Sequence, residues 1–333
     1  MPGIRFSLLI QAIDAPDEFV KIARRAEELG FDTLWVADSS LHGRYVYAYL
    51  AFAAVHTLRI RLGTGITHPV TRHPAVTVNA IATVDTISRG RAVLGVGAGD
   101  RPVRELGLRP ASPRTVRDLI LLTRELAAGH RISFAGETFR VVDARLRFPS
   151  RPDLPIYVAA SGPRMLEMGG EVADGLLVQV GVWPPCVEAA VDAIGRGANR
   201  TGRAVTELDV SAMVYGSVRD DPRQARDESR PFAAWIPQTV PQYCRIAGIP
   251  DADVEAVRRL YRGGELHEAA EAAAVATDEM IDKFTLSGSP AEVRAKVARL
   301  VETGIRHITF FPMGSDRAGG VERFARHVMT YFQ

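Results

Sequence analysis

The chain reads as an α/β protein, a closed (β/α)8 TIM barrel with inserted segments at about 129–155 and 236–285. Three observations predict it. Short apolar runs of strand length, such as Thr33–Ala37 and Ala92–Val96, alternate with helical stretches along nearly the whole sequence. Two such runs joined by a helix form a right-handed parallel βαβ unit, and the unit recurs here. With 333 residues, 47% of them hydrophobic, the chain has the length and the core for one large barrel.

In order, Ile4–Ile10 is the first strand and Asp17–Leu29 the first helix, with Phe19, Ile22, Ala23, Ala26 and Leu29 on one face and Gly30 as its stop. Thr33–Ala37 is strand two, followed by a helix around Tyr45–Thr57. Arg59–Gly65 is strand three. Pro74 suits the first turn of the next helix, where its missing N–H is not needed, and that helix stops near Ser88-Arg89-Gly90. Ala92–Val96 is strand four, and Pro113–Ala128 the fourth helix. Between Gly129 and Pro155 the rhythm breaks into a β-hairpin, read as an insertion across the barrel. Pro155–Ala160, Gly175–Val180, Leu208–Val218 and Ile305–Phe311 complete eight strands, with helices from Ser161, Pro184, Pro222 to about Trp235, Pro290 and Gly320. Residues 236–285 read as short helices, one of them Ala/Glu-rich near His267–Ala276. One domain is expected across 1–333, with no linker or low-complexity segment.

Composition narrows the function. No apolar run approaches the ~20 residues needed to span a bilayer, and the first residues lack a secretory pattern. Cys186 and Cys244 are the only cysteines and form no CxxC, which favours a reducing cytoplasm. A net charge of +2 gives no general case for nucleic acid. The expected partner is a small-molecule substrate, with neither nucleic acid nor membrane involved.

Candidate chemistry sits where barrel strands end. Gly65-Ile66-Thr67 and Gly97-Ala98-Gly99-Asp100 close strands three and four, and Asp38 closes strand two. A carboxylate there can hold a ring edge, bind a hydroxyl or move a proton; Asp38 can equally cap the next helix, and Asp100 can be a solvated loop acid. Ser161-Gly162-Pro163 lies between a strand and a helix, so backbone N–H groups and the positive end of the helix dipole favour an anion. A simple βα turn is the other reading. Arg72, Arg101 and Arg164 are candidates to meet an acidic tail. Tyr45 and Tyr49 share a helical face, and Phe232, Trp235 and Phe311 fall near later loops; core packing or substrate contact fits them. His68 and His73 have no partners at ligand spacing, so no metal is expected.

The two halves of the strand-three to strand-four stretch, G-T-G-I-T-H-P-V-T-R-H-P and S-R-G-R-A-V-L-G-V-G-A-G-D, resemble the luciferase-like flavin and deazaflavin oxidoreductases. They most resemble the methylenetetrahydromethanopterin reductase branch, which uses the deazaflavin coenzyme F420. The resemblance implies an oxidoreductase moving hydride between F420 and an organic substrate. It places a non-proline cis peptide bulge at Gly65-Ile66-Thr67 behind the ring, and Gly97, Ala98, Gly99 and Asp100 along its edge, Asp100 as proton donor. Ser161, Gly162 and Pro163, with Val180 and Gly181 downstream, would cradle the cofactor phosphate. Several deazaflavin enzymes carry Asp-His after strand two where this chain has Asp38-Ser39, which speaks against a histidine acid/base and a sugar-phosphate substrate; His42 is three residues on. The resemblance also implies a homodimer or higher oligomer. The alternatives are an FMN-dependent monooxygenase and a flavin-binding barrel without turnover.

Overall fold

The computed structural model describes residues 3–261 and 270–333. Eight parallel strands close into a barrel in the order β1 (Arg5–Gln11), β2 (Thr33–Ala37), β3 (Arg61–Thr64), β4 (Ala92–Val96), β7 (Ile156–Ala160), β8 (Gly175–Val178), β9 (Asp209–Gly216) and β10 (His307–Pro312), which returns to β1. The remaining pair, β5 (Ile132–Ala135) and β6 (Arg140–Ala144), is an antiparallel hairpin. Around the barrel lie α1 (Pro16–Glu28), α2 (Val46–His56), α3 (Pro74–Ser88), α4 (Arg101–Glu105), α5 (Pro113–Ala127), α6 (Pro163–Val172), α7 (Pro184–Arg200) and α8 (Pro222–Thr239). After α8 come α9 (Pro241–Ile246), α10 (Asp251–Leu260), α11 (Ala270–Val275), α12 (Asp278–Phe284), α13 (Pro290–Glu302) and α14 (Arg317–Phe324). The expected short helices of 236–285 are α9 to α12, and the start of the Ala/Glu-rich stretch lies outside the described residues. No helix among the described residues is long and apolar enough to cross a membrane.

Local chemistry explains most boundaries. Pro74, Pro113, Pro163, Pro184 and Pro290 open their helices, and the Ser112 and Ser289 side chains accept backbone N–H groups of the first turns of α5 and α13. Arg89 takes a left-handed φ of 58° to end α3, a turn completed by Gly90 at 84°.

Alternate strand residues point inward. Leu9, Trp35, Val93, Tyr157, Leu177 and Met213 fill the barrel, while a larger apolar layer packs between strands and helices. Trp35 dominates the interior: a Cβ at Gly63 would lie 2.4 Å from its ring, and one at Gly95 3.1 Å away. At 63 glycine leaves the space the indole occupies; at 95 the nearer limit is the Thr64 carbonyl oxygen, 2.1 Å from such a Cβ. At the amino ends of the strands, His307 is fully buried between Ser7, 2.7 Å from Nε2, and Asp209, 3.0 Å from Nδ1. The Tyr157 phenol also donates to Asp209, at 2.6 Å.

Three expectations need correction. The helix from Pro222 does not stop near Trp235 but runs through Pro231 and Pro237 to Thr239. Each proline removes one backbone donor, and burial of Phe232, Ala233, Ala234 and Ile236 holds the helix together. The hairpin is not laid across the barrel: Asp118 of α5 accepts the Glu137 N–H at 2.7 Å, and Phe139 meets the His73 ring at the start of α3. It therefore packs on the outside. The helix α4, directly after Asp100, escaped the sequence reading because five residues carry no periodicity.

Candidate active site

The strand-end residues assemble on the carboxyl side of the barrel. The Gly65–Ile66 peptide is cis. Ile66 packs on the barrel-filling cluster beside Ala159, Tyr215 and Phe311, so these four half-buried side chains form an apolar floor. Gly97 is there because Ile66 is: a Cβ at 97 would stand 2.1 Å from Ile66 Cδ1. Ala98 and Gly99 are half-buried, and Asp100 is exposed just ahead of α4.

Asp38 does not cap α2, whose N-cap is Tyr45. Its carboxylate is buried and fully engaged. Thr67 Oγ1 donates to Asp38 Oδ2 at 2.6 Å, the Arg72 guanidinium donates to the same carboxylate, and Arg72 also reaches Thr67 Oγ1 at 2.8 Å. The guanidinium lies 5.5 Å from the Tyr45 ring centre and 5.2 Å from that of Tyr47. The expected shared helical face holds only in part: Tyr45 is the N-cap of α2 and stays exposed, while Tyr49 packs in the core against Phe19 and donates its hydroxyl to the Asp14 carbonyl. Arg72, a candidate for an acidic tail, is spent on Asp38 instead. Arg101 likewise pairs with Glu105 at 2.8 Å and contacts His42, whose ring also meets Glu105. Arg164 remains exposed at the start of α6.

His68 is buried behind Gly99, and burial pushes its imidazole down to about 4. The ring is neutral at pH 7. No group of His, Cys, Asp and Glu among the described residues is arranged to hold a metal.

Gly162 precedes α6, and a Cβ built on it would meet nothing within 4 Å. The helix N-terminus thus opens onto free space beside a bare backbone. The preceding Ser161 is held from below, its carbonyl accepting the Tyr243 phenol at 2.8 Å. Pro163 starts the helix, Val180 is buried, and Gly181 turns with φ 88° against the Lys283 carbonyl. The segments Gly65–Thr67, Gly97–Asp100, Ser161–Pro163 and Val180–Gly181 follow β3, β4, β7 and β8, four neighbouring strands in the barrel. Together they make one arc of the rim.

On the other side stands an aromatic stack. The Tyr215 ring lies between Phe232, at 3.9 Å and 6°, and Phe311, at 4.7 Å and 25°, and Trp235 continues the stack 5.6 Å beyond Phe232. Burial raises the Tyr215 phenol well above its ordinary range, and the charge of Asp100 adds to the effect. Phe232, Trp235 and Phe311 were candidates from the sequence. Tyr215 was missed: it sits inside an apolar strand, and only its place as the next-to-last residue of β9 hinted at the mouth. Two clefts, of about 560 Å³ near Arg145–Ser150 and about 570 Å³ near Trp183 and α13, lie away from these residues. Volume and convergent chemistry disagree here, and the chemistry locates the site.

A parallel eight-stranded barrel with a glycine-lined rim, an apolar floor and an open helix N-terminus is a scaffold for a planar ring with an anionic tail. The chain belongs to the luciferase-like monooxygenase family, which it matches over residues 4–307. It is similar to the 5,10-methylenetetrahydromethanopterin reductases of Methanolobus tindarius, at 31% identity over 94% of this chain and 97% of that one, and of Archaeoglobus fulgidus, at 33% over 93% of each. Among solved structures, the coenzyme F420 dependent tetrahydromethanopterin reductase from Methanopyrus kandleri superposes with a TM-score of 0.89 at 27% identity, covering 99% of this chain and all of that one.

Proposed function

We propose that this protein is an F420-dependent oxidoreductase that moves hydride between the deazaflavin and a small organic substrate, as a methylenetetrahydromethanopterin reductase-like enzyme. One observation carries the reading: the four loop segments that fit a ring and a phosphate follow four adjacent strands at the same end of the barrel, in the order a ring-to-tail ligand needs. The similarity to an F420-dependent reductase along almost the whole chain supports deazaflavin over FMN.

When bound, the deazaflavin supplies a hydride donor or acceptor carbon that reacts poorly with oxygen. The chain does the rest. Gly65, Ile66 and Thr67 form the wall behind the ring, with Gly97, Ala98 and Gly99 along its edge. Ser161, Gly162 and Pro163, with Val180 and Gly181, take the phosphate through backbone N–H groups and the α6 dipole. Asp38, neutralised by Arg72, anchors Thr67 and so the wall. Asp100, exposed at the rim, handles the proton. The apolar floor excludes water from the reacting face.

A second copy of this chain is the partner that the outer faces of α2 and α3 fit. Val46–His56 carries no Asp, Glu, Lys or Arg, yet Phe52 is 43%, Val55 64% and the neighbouring Val76 of α3 52% exposed. Light scattering should report a dimer.

The test is a fluorescence titration with F420 and with FMN, followed by assay of reduced F420 oxidation with methylenetetrahydromethanopterin as first acceptor. Tight F420 binding with F420-dependent turnover is expected. Oxygen-dependent turnover with FMN and none with F420 would overturn the reading.

A further inference from the structure

On the inner face of the barrel mouth stands a tyrosine whose hydroxyl has no task. Tyr215 follows Met213 on β9, both point inward, and its ring rests on the barrel-filling cluster. Three strands separate β9 from β3 in either direction around the barrel, so Tyr215 stands directly opposite Ile66. Phe232 and Phe311 sandwich the ring, which fixes its plane. Its hydroxyl makes no hydrogen bond among the described residues, nor does that of Tyr47 beside Arg72, whereas the Tyr49, Tyr157 and Tyr243 hydroxyls each donate to a partner. A clamped ring with an uncommitted hydroxyl at a water-poor mouth is a hydrogen-bond donor prepared for a ligand.

We propose that Tyr215 is the substrate-contacting donor of this site, its phenol hydrogen-bonded to the nitrogen or oxygen X that is bound to the hydride-accepting carbon, the substrate lying between Tyr215 and the ring lodged on Ile66. The inference rests on the proposed function above and deepens it. The substrate class is then a planar molecule whose hydride-accepting carbon is joined to nitrogen or oxygen, not an isolated alkene. In the reducing direction a C–H bond forms at that carbon with the two electrons the reduced deazaflavin gives up. The C–X π bond of a carbonyl or imine breaks, or one C–N σ bond where, as in methylenetetrahydromethanopterin, the carbon is held between two nitrogens; the pair moves to X, where the phenol stabilises it. The phenol proton passes to X, and Asp100 at the open rim restores it from solvent. Burial keeps Tyr215 protonated at neutral pH, so it enters as a donor.

The experiment compares wild type, Tyr215→Phe and Tyr215→Leu. Phe keeps the three-ring stack and lacks only the hydroxyl; Leu loses both. Each is measured for thermal midpoint, for F420 affinity by fluorescence quenching, and for kcat and KM with reduced F420 and methylenetetrahydromethanopterin. The expected result for Tyr215→Phe is an unchanged midpoint, F420 affinity within about twofold and kcat/KM lower by about 100-fold, the scale of a lost acid or oriented donor. Tyr215→Leu should lose no less. Turnover of Tyr215→Phe within about threefold of wild type overturns the proposal and leaves the F420 reading intact, as does a loss of F420 affinity and midpoint equal to its loss of rate. A wild type that neither binds F420 nor oxidises reduced F420 overturns the functional reading, and Tyr215 falls with it.

Discussion

Replacing Asp38 by Asn removes the countercharge of Arg72 while keeping the shape of the side chain. The side chains of Asp38 and Arg72 are only 4% and 14% exposed, so the guanidinium left behind has little water to turn to. Breaking a buried ion pair by removing one partner costs about 3–5 kcal/mol. Two features moderate the loss: the Asn carbonyl still accepts one hydrogen bond, and the Tyr45 and Tyr47 faces each attract the cation at ~0.5–2 kcal/mol. Asp38→Asn should therefore lower stability by about 3 kcal/mol, read as a shift of the urea midpoint at constant slope. Removing both charges, as Asp38→Asn with Arg72→Met, should return most of it and leave a deficit of about 1 kcal/mol. That non-additivity is the measure of a coupled pair. A loss below 1 kcal/mol in the single variant, or a double variant equal to the sum of its singles, would falsify the account.

Asp100→Asn should cut turnover by about 100-fold while F420 affinity stays within about twofold; normal turnover would leave Asp100 as scaffolding. Gly162→Asp puts bulk and negative charge into the open space before α6, and should weaken F420 binding by about 2 kcal/mol, roughly 30-fold in Kd. Unchanged affinity in a folded variant would place the phosphate elsewhere. Burial opposes the charge on Asp209, but donation from His307, Tyr157 and Arg5 outweighs it and holds the carboxyl far below its ordinary range. A depressed carboxyl stabilises the fold above its unfolded value near ~4 and loses that contribution as pH falls further. Stability of the wild type should drop steeply below about pH 4, and the drop should be shallower in Asp209→Asn. His68, held down to about 4, adds a separate slope, with stability lost as pH falls from the unfolded value near ~6.5; His68→Gln should abolish it.

The strand ends were readable because glycines and acids there interrupt apolar runs, and Gly65–Thr67, Gly97–Asp100 and Ser161–Pro163 do lie on one rim. Thr33–Ala37 and Ala92–Val96 have the predicted bounds, since Gly or Asp punctuates both sides. Proline misled in α8, where tertiary burial overrode a local breaker signal. The commitment of Arg72 to Asp38 was illegible for a different reason. The two are 34 residues apart, and nothing in either neighbourhood announces that β2 and β3 bring their loops together with Tyr45 and Tyr47 around one guanidinium. Tyr215 escaped because an inward position on a barrel strand looks the same in sequence whether it lies in the packed layers or at the open end.

The indole of Trp35 has a consequence for anyone altering this protein. A Cβ at Gly65 would stand 2.7 Å from Trp35 Cβ, so the residue that carries the wall of the mouth rests on the same side chain whose ring excludes a Cβ at Gly63. Positions 35 and 63 therefore vary as a pair. A smaller residue at 35 opens room beneath Ile66, and the mouth deepens unless 63 is enlarged to refill it. Substrate range should thus be adjustable from underneath, through residues no ligand touches, with the depth of the pocket governed by how much volume the centre of the barrel holds.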